Sequence, residues 1–588
     1  AASGAGIVGT VSIGGDATTL LTLGGTTYNT DGTTIYESVA ANDKILVTGT
    51  DPVFTTHDDA ISFENGGILL SAGEFEVQSG GNGITIDGRI VGTGAESVKL
   101  DAGTGDGTNA TVTLGSTTGI GSGDEISSIT LDGEDGVSLS GALKLDDNTG
   151  AVSITGPVTL AQNITINTAA NNGTVTFETT GTTINANKNL TISSGTGDVT
   201  FQGVIGGDTG IGNLDVNASG GTGDIEIFDI GDSNTIGVVG TVDIGNSATT
   251  SITLDGTTYK TDGDTEFDAT ATGASIKFTG VSPTMTMAAG HTLKFTTADV
   301  ELSGTDGGTP DVGTTTFTAP GGATFAGDII GKSGMTGTES LTIETGAGAL
   351  DIGGSIGGSG KAIGTLLINS SGAGTVAIAG IGTSSAVGVS GNTTIGNSST
   401  ASITLDGAEY NTTGSQTYEA TGGTNIDITG TATEIATAGS NITFSTADLE
   451  LNNNGTTTIT SGGSSNAGNI SFAGAIEANG TLDVLTIVSG AGSVSFSDVI
   501  GKTHELAGLN VNAGETDGAG NITFSGDIGG TADGDTDEAG VLGTTVIGNS
   551  NTTSIDFQED LYSFGTGTTN IQAATGHTID ATKNADTI

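Results

Sequence analysis

The chain has no cysteine and no tryptophan. Disulfides and thiolate metal sites are therefore excluded. A carbohydrate platform of exposed indole rings is excluded too. Basic residues are scarce: 12 Lys and Arg stand against 66 Asp and Glu, for a net charge of −54, and Arg89 is the only arginine. Nucleic-acid binding and adhesion to an anionic membrane both need a basic surface, so neither is expected. Only 5 prolines occur, so few strands lose a ladder donor. No apolar run is long enough to cross a bilayer as a helix. Hydrophobic residues make up only 34% of 588 residues, while Gly alone numbers 105. A thick globular core is hard to fill from that composition. A stack of thin coils is not, because each coil buries itself against its neighbours.

What is present is repetition. Ile244-Gly-Asn-Ser-Ala-Thr-Thr-Ser-Ile252 returns as Ile395-Gly-Asn-Ser-Ser-Thr-Ala-Ser-Ile403 and as Ile547-Gly-Asn-Ser-Asn-Thr-Thr-Ser-Ile555. The step is about 150 residues each time, and a looser copy runs from Ile13 to Leu21. Inside this period lies a shorter one. The landmark Gly-x-[Val/Ile/Leu]-x-[Phe/Ile] begins at Gly197 and Gly223, at Gly348 and Gly374, and at Gly468, Gly492 and Gly520. Periods of this size signal stacked repeats. Between landmarks the residues alternate, as in Asn469-Ile470-Ser471-Phe472, the period of a half-buried strand. Thr, Val and Ile fill the strands, and Gly, Asn, Asp and Ser fill the turns. No segment has a helical period.

The reading is an all-β, elongated parallel β-solenoid (β-helix) of roughly 20 coils, built from super-repeats of about 150 residues. Four stretches follow: a longer first unit at 1–243, repeats at 244–394 and 395–546, and a partial unit at 547–588. The second and third units open on Tyr-bearing stretches, Leu254–Gly263 and Leu405–Gly414, which read as hairpin-like. Phe201, Phe472, Phe496 and Phe524 share one place in the pattern and read as internal packing.

Candidate chemistry is sparse. Asp533, Asp535, Asp537 and Glu538 alternate in a way that lets carboxylates converge on Ca²⁺, the one cofactor the sequence suggests. The bland reading is a solvated acidic turn. Asp132-Gly-Glu134-Asp135 and Asp124-Glu125 are weaker versions, and Gly80–Gly88 resembles a Gly-rich calcium nonapeptide with its Asp displaced. His57, His291, His504 and His577 are scattered and read as surface residues. No nucleophile–base pair and no phosphate loop is legible, so no enzyme activity is expected.

Tyr410-Asn-Thr-Thr-Gly-Ser-Gln-Thr-Tyr418, followed by Ser440-Asn-Ile-Thr-Phe-Ser445, resembles the repeats of filamentous-haemagglutinin-like, β-strand-repeat bacterial surface adhesins. Echoes lie at Tyr28–Tyr36 and Tyr259–Phe267. The resemblance implies a secreted or surface-attached β-helix serving as stalk, fibre or adhesin. The Asn-Pro-Asn-Gly-Ile signature of two-partner secretion domains is missing, and no functional residue is carried over.

The expectation is an extracellular structural protein, secreted or at the cell surface. It self-assembles end to end through uncapped coils, or side by side, into a fibre, sheath or layer. Its partners are copies of itself, with host-surface or matrix carbohydrate as another candidate, and neither nucleic acid nor membrane insertion is expected. The Ala-Ala-Ser start is compatible with a cleaved secretory signal. The rivals are the stalk of a giant surface adhesin, a phage tail spike and a polysaccharide-active β-helix enzyme.

Overall fold

A computed structural model describes residues 7–57, 59–71, 73–103, 110–116, 119–121, 126–145, 150–178, 183–270, 275–302, 313–332, 339–358, 361–462, 468–479, 482–514, 519–530 and 540–581. All regular structure among them is β, and the chain is the parallel β-solenoid of about 20 turns that the alternation predicts. The chain divides into two compact units, 1–288 with 296–298 and 289–295 with 299–588. The division falls inside the second sequence repeat. A solenoid coil touches only the coils beside it, so a sequence period need not coincide with a structural boundary.

One coil of the first unit shows how the strands form. Ile45–Val47, Val53–Thr56 and Ile61–Glu64 lie on three successive faces. Each pairs in parallel with its counterpart in the next coil, Ile68–Leu70, Glu74–Ser79 and Ile84–Ile86. Alternate residues point inward, and Ile45, Phe54, Ile61 and Phe63 are almost wholly buried. The intervening residues, Leu46, Thr55 and Ser62, stay partly exposed. β-Branched and aromatic side chains suit such a pleated, half-buried surface.

Parallel pairing in register places like residues on like residues. In the first unit Tyr28 stacks on Phe54 with centroids 4.4 Å apart and planes 4° from parallel. Phe177 stacks on Phe201 at 5.0 Å. In the second unit a longer column runs Tyr418, Phe444, Phe472, Phe496, Phe524 and Phe557, with rings 4.7–5.2 Å apart and within 12° of parallel. The expected internal packing of Phe201, Phe472, Phe496 and Phe524 is thus observed; each is at most 1% exposed. On another face Tyr410, Ile435, Ile459, Ile487, Val511 and Ile547 form a second column. The landmark glycine has a steric cause: a Cβ on Gly492 would lie 2.0 Å from the Gly468 carbonyl oxygen of the preceding coil.

The long repeat does not equal a whole number of coils. Within the second unit, Thr393–Gly396 sits on the face that carries the aromatic column. Its sequence counterpart Thr545–Ile547 sits on the face of Val511 and Ile571. Within the first unit, Val11–Gly14 and its counterpart Val242–Gly245 likewise lie in different sheets.

The Phe496 ring is held between Phe472 and Phe524, at 5.2 and 4.7 Å. Phe496→Ala is expected to destabilise the chain by about 3–5 kcal/mol, read as a lower midpoint in guanidinium unfolding. Ser495→Ala, on the outward side of the same strand, is expected to change stability by less than about 0.5 kcal/mol.

Candidate functional site

The residues that return in every long repeat are the first place to look for a site. In the Ile-Gly-Asn-Ser motif the glycines take positive φ: 79° at Gly245, 78° at Gly396 and 76° at Gly548. A Cβ there would lie 2.2–2.3 Å from a carbonyl oxygen of the next coil, so only glycine fits. The asparagine that follows is a staple. Asn246 Nδ2 donates to the Asn217 and Gly221 carbonyls of the preceding coil, at 2.7 and 3.0 Å. Asn397 donates to Asn369 and Gly372, and Asn549 to Asn512 and Gly514. In each copy the asparagine backbone N–H donates to a buried threonine Oγ1 three residues on, at 3.0 Å: Thr249, Thr400 or Thr552. The receiving residues Asn217, Asn369 and Asn512 are themselves left-handed, with φ of 54°, 46° and 48°. Their Oδ1 atoms accept backbone N–H groups of Ser194, Thr345 and Ser489, one coil further back. The motif therefore ties three coils together at a buried turn.

The tyrosine stretches are corners, and the hairpin-like reading is corrected. Ile252–Leu254 and Thr258–Thr261 do not pair with each other; each pairs in parallel with strands of neighbouring coils. Asp-Gly suits any tight turn between strands, which is why it mimics a hairpin signal. The tyrosine hydroxyl accepts the backbone N–H three residues earlier in every copy: Gly25 to Tyr28, Gly256 to Tyr259, Gly407 to Tyr410 and Glu559 to Tyr562, at 2.7–2.9 Å. Burial pushes the phenols of Tyr259 and Tyr410 up, out of the range of ordinary titration. Beside them, Thr30 and Thr34 share a hydroxyl hydrogen bond at 2.6 Å, and Thr261 and Thr265 share one at 2.9 Å. The residues that carry the adhesin resemblance thus shape the corner of a coil.

Asp533, Asp535, Asp537 and Glu538 lie outside the described residues, as do Asp124 and Glu125. Gly529 and Gly540, which flank the first set, lie backbone against backbone. Gly231 and Gly237, and Gly382 and Gly388, approach each other in the same way. Between the first two, Asp232 accepts the N–H groups of Asn234 and Thr235, which hold its carboxyl below the usual range.

Asp132 and Glu134 do meet other acids. With Asp101, Gly103, Thr155 and Gly156 they line an open groove of about 400 Å³. Asp101 and Asp132 are register partners on adjacent coils. Burial pushes both carboxyls up, and Asp101 and Glu134 add to the rise at Asp132. Asp135 instead accepts the Ala110 N–H at 2.8 Å and closes a turn. Within Gly80–Gly88, Ile84–Ile86 is a strand, and Asp87 is raised by burial and then by Glu64. Among the described residues no group of three or more His, Asp or Glu has the geometry to hold a metal. His57 is half exposed, 3.9 Å from Asp31.

The sequence reading missed the columns of in-register carboxylates. Glu37 lies opposite Glu64. Asp215, Asp243 and Glu266 occupy consecutive coils, as do Asp427, Glu450 and Glu477. Like charges about 4.8 Å apart repel by roughly 1 kcal/mol per pair in water. Burial lifts Asp215, Asp243 and Asp427, and neighbouring acids add to the rise at the last two. Asp255 is pushed up to about 6 by burial, then by Glu226 and Asp229.

These shifts fix a sign. A carboxyl raised in the folded state binds its proton more tightly there than in the unfolded chain. Its contribution is fully present below the unfolded value and is lost as pH rises through the folded one. For Asp255 that window runs from 3.8 to about 6. Melting temperature at low salt is expected to be higher at pH 5 than at pH 7.5. The gap should shrink at high ionic strength, where surface charges are screened. Asp255→Asn should raise the melting temperature more at pH 7.5 than at pH 5. A calorimetric series over pH and salt checks all three.

The chain matches no family model, no curated protein and no solved structure.

Proposed function

We propose that the chain is an extracellular structural protein whose copies associate, end to end or side by side, into a fibre, sheath or layer at a cell surface. One observation carries this reading. The residues that return with the long repeat are devices for holding coil geometry: the asparagine staple at Asn246, Asn397 and Asn549, and the tyrosine corner at Tyr28, Tyr259, Tyr410 and Tyr562. Duplication has preserved architecture. A net charge of −54 keeps such a body soluble and makes its association depend on counter-ions. Ca²⁺ is the cation proposed to bridge carboxylates between copies. The resemblance around Tyr410–Tyr418 favours one rival, the stalk of a large surface adhesin, in which the coils act as a spacer and do not assemble.

Electron microscopy and sedimentation of the purified chain, first with calcium and then with a chelator, separate the two. Filaments or sheets that disperse on chelation are expected. Single particles under both conditions would overturn assembly and leave the spacer.

A further inference from the structure

The second unit carries an outward face built of hydroxyls and amides, with no charge at its centre. Thr394, Thr417, Thr443, Ser471, Ser495 and Thr523 stand in register on six consecutive coils, all outward and partly exposed. Two residues earlier on the later strands stand Asn441, Asn469 and Asn521; two residues later stand Ser445, Ser497 and Ser525. Across the four strands Ile442–Ser445, Ile470–Phe472, Val494–Phe496 and Asn521–Phe524 none of the outward positions is charged. Charge resumes at the margins, at Glu419, Asp556, Asp498 and Asp527.

The array is also fixed in place. Directly beneath it run Phe444, Phe472, Phe496 and Phe524, stacked at 4.7–5.2 Å and within 7° of parallel. Threonine on a strand has few χ1 choices. Two of the asparagines are anchored: Asn441 Oδ1 accepts the Asn469 N–H, and Asn469 Oδ1 accepts the Ser493 N–H, both at 2.9 Å. Within the column itself Ser471 reaches Thr443 at 3.3 Å. The result is a rigid net of hydroxyls, spaced about 4.8 Å from coil to coil and about 6.6 Å between alternate residues along a strand.

We propose that this face binds the surface of ice. Each hydroxyl donates one hydrogen bond and accepts two, the same kinds of bond that water makes. Hydroxyls held on a rigid net fix the water bonded to them, so that water is already ordered when it joins a crystal. Ice has no place for a hydrated ion, which is why the absence of charge matters on a chain of net charge −54. A second acidic copy or a charged polymer gains nothing from this net, whereas a neutral ordered lattice of water does. The inference is independent of self-assembly.

The test uses the full chain. Wild-type protein is expected to adsorb to a growing ice surface and to inhibit ice recrystallisation. Thr443→Lys combined with Thr523→Lys should abolish both effects, while Thr404→Lys, on a face beside Asp427, should leave them unchanged. Circular dichroism shows whether each variant is folded. If the lysine pair misfolds, Ser471→Ala with Ser495→Ala removes two hydroxyls without adding charge and should weaken adsorption. No adsorption by wild type, adsorption indifferent to the face variants, or binding only to microcrystalline cellulose or to further copies of the chain would each overturn the proposal.

Discussion

Everything in this molecule follows from parallel register between successive coils. A residue in one coil stands over its counterpart in the next, so each choice of side chain is made for a column and not for a site. Where the column faces inward, identity is favourable: rings stack on rings from Tyr418 to Phe557, and branched aliphatics stack from Ile435 to Ile547. Turns obey the same rule. The staple at Asn397 works because a left-handed Asn369 waits one coil back, with Thr345 one coil behind that.

The same register works against the chain where columns face outward. Acidic residues are plentiful, and stacking brings them together, as at Asp215, Asp243 and Glu266. Basic partners are few; Lys99 with Glu76 and Arg89 with Asp43 are two described ion pairs. Repulsion along a column therefore adds to the proton affinity of Asp243 and is otherwise left to dissolved ions to screen. The short supply of lysine and arginine ties the solenoid to its ionic surroundings.

The fold was largely legible from alternation and from the glycine landmark. Gly468, Gly492 and Gly520 mark the strands that carry Phe472, Phe496 and Phe524, because a close backbone approach at each coil demands glycine. Acidic columns were not legible. Asp215, Asp243 and Glu266 are unequally spaced in sequence, since turn lengths vary from coil to coil, and only three-dimensional pairing aligns them. The tyrosine stretches were legible as turns but not as corners, because Asp-Gly marks a reversal of the chain and a bend between faces alike. For the candidate site, Asp132 and Glu134 proved to share a groove with Asp101, a partner that sequence proximity could not supply.

The mismatch between repeat length and coil length has an evolutionary consequence. The same staple is built at Asn397 and at Asn549, each donating to two carbonyls of the preceding coil, although the two copies occupy different faces. The three faces are therefore interchangeable for the stretch of gene that encodes a repeat. Unequal recombination between copies can add or remove a whole repeat, and each strand still finds a partner in the neighbouring coil. Length in such a chain is a freely varying trait, while the direction in which each copy presents its surface turns with every gain or loss.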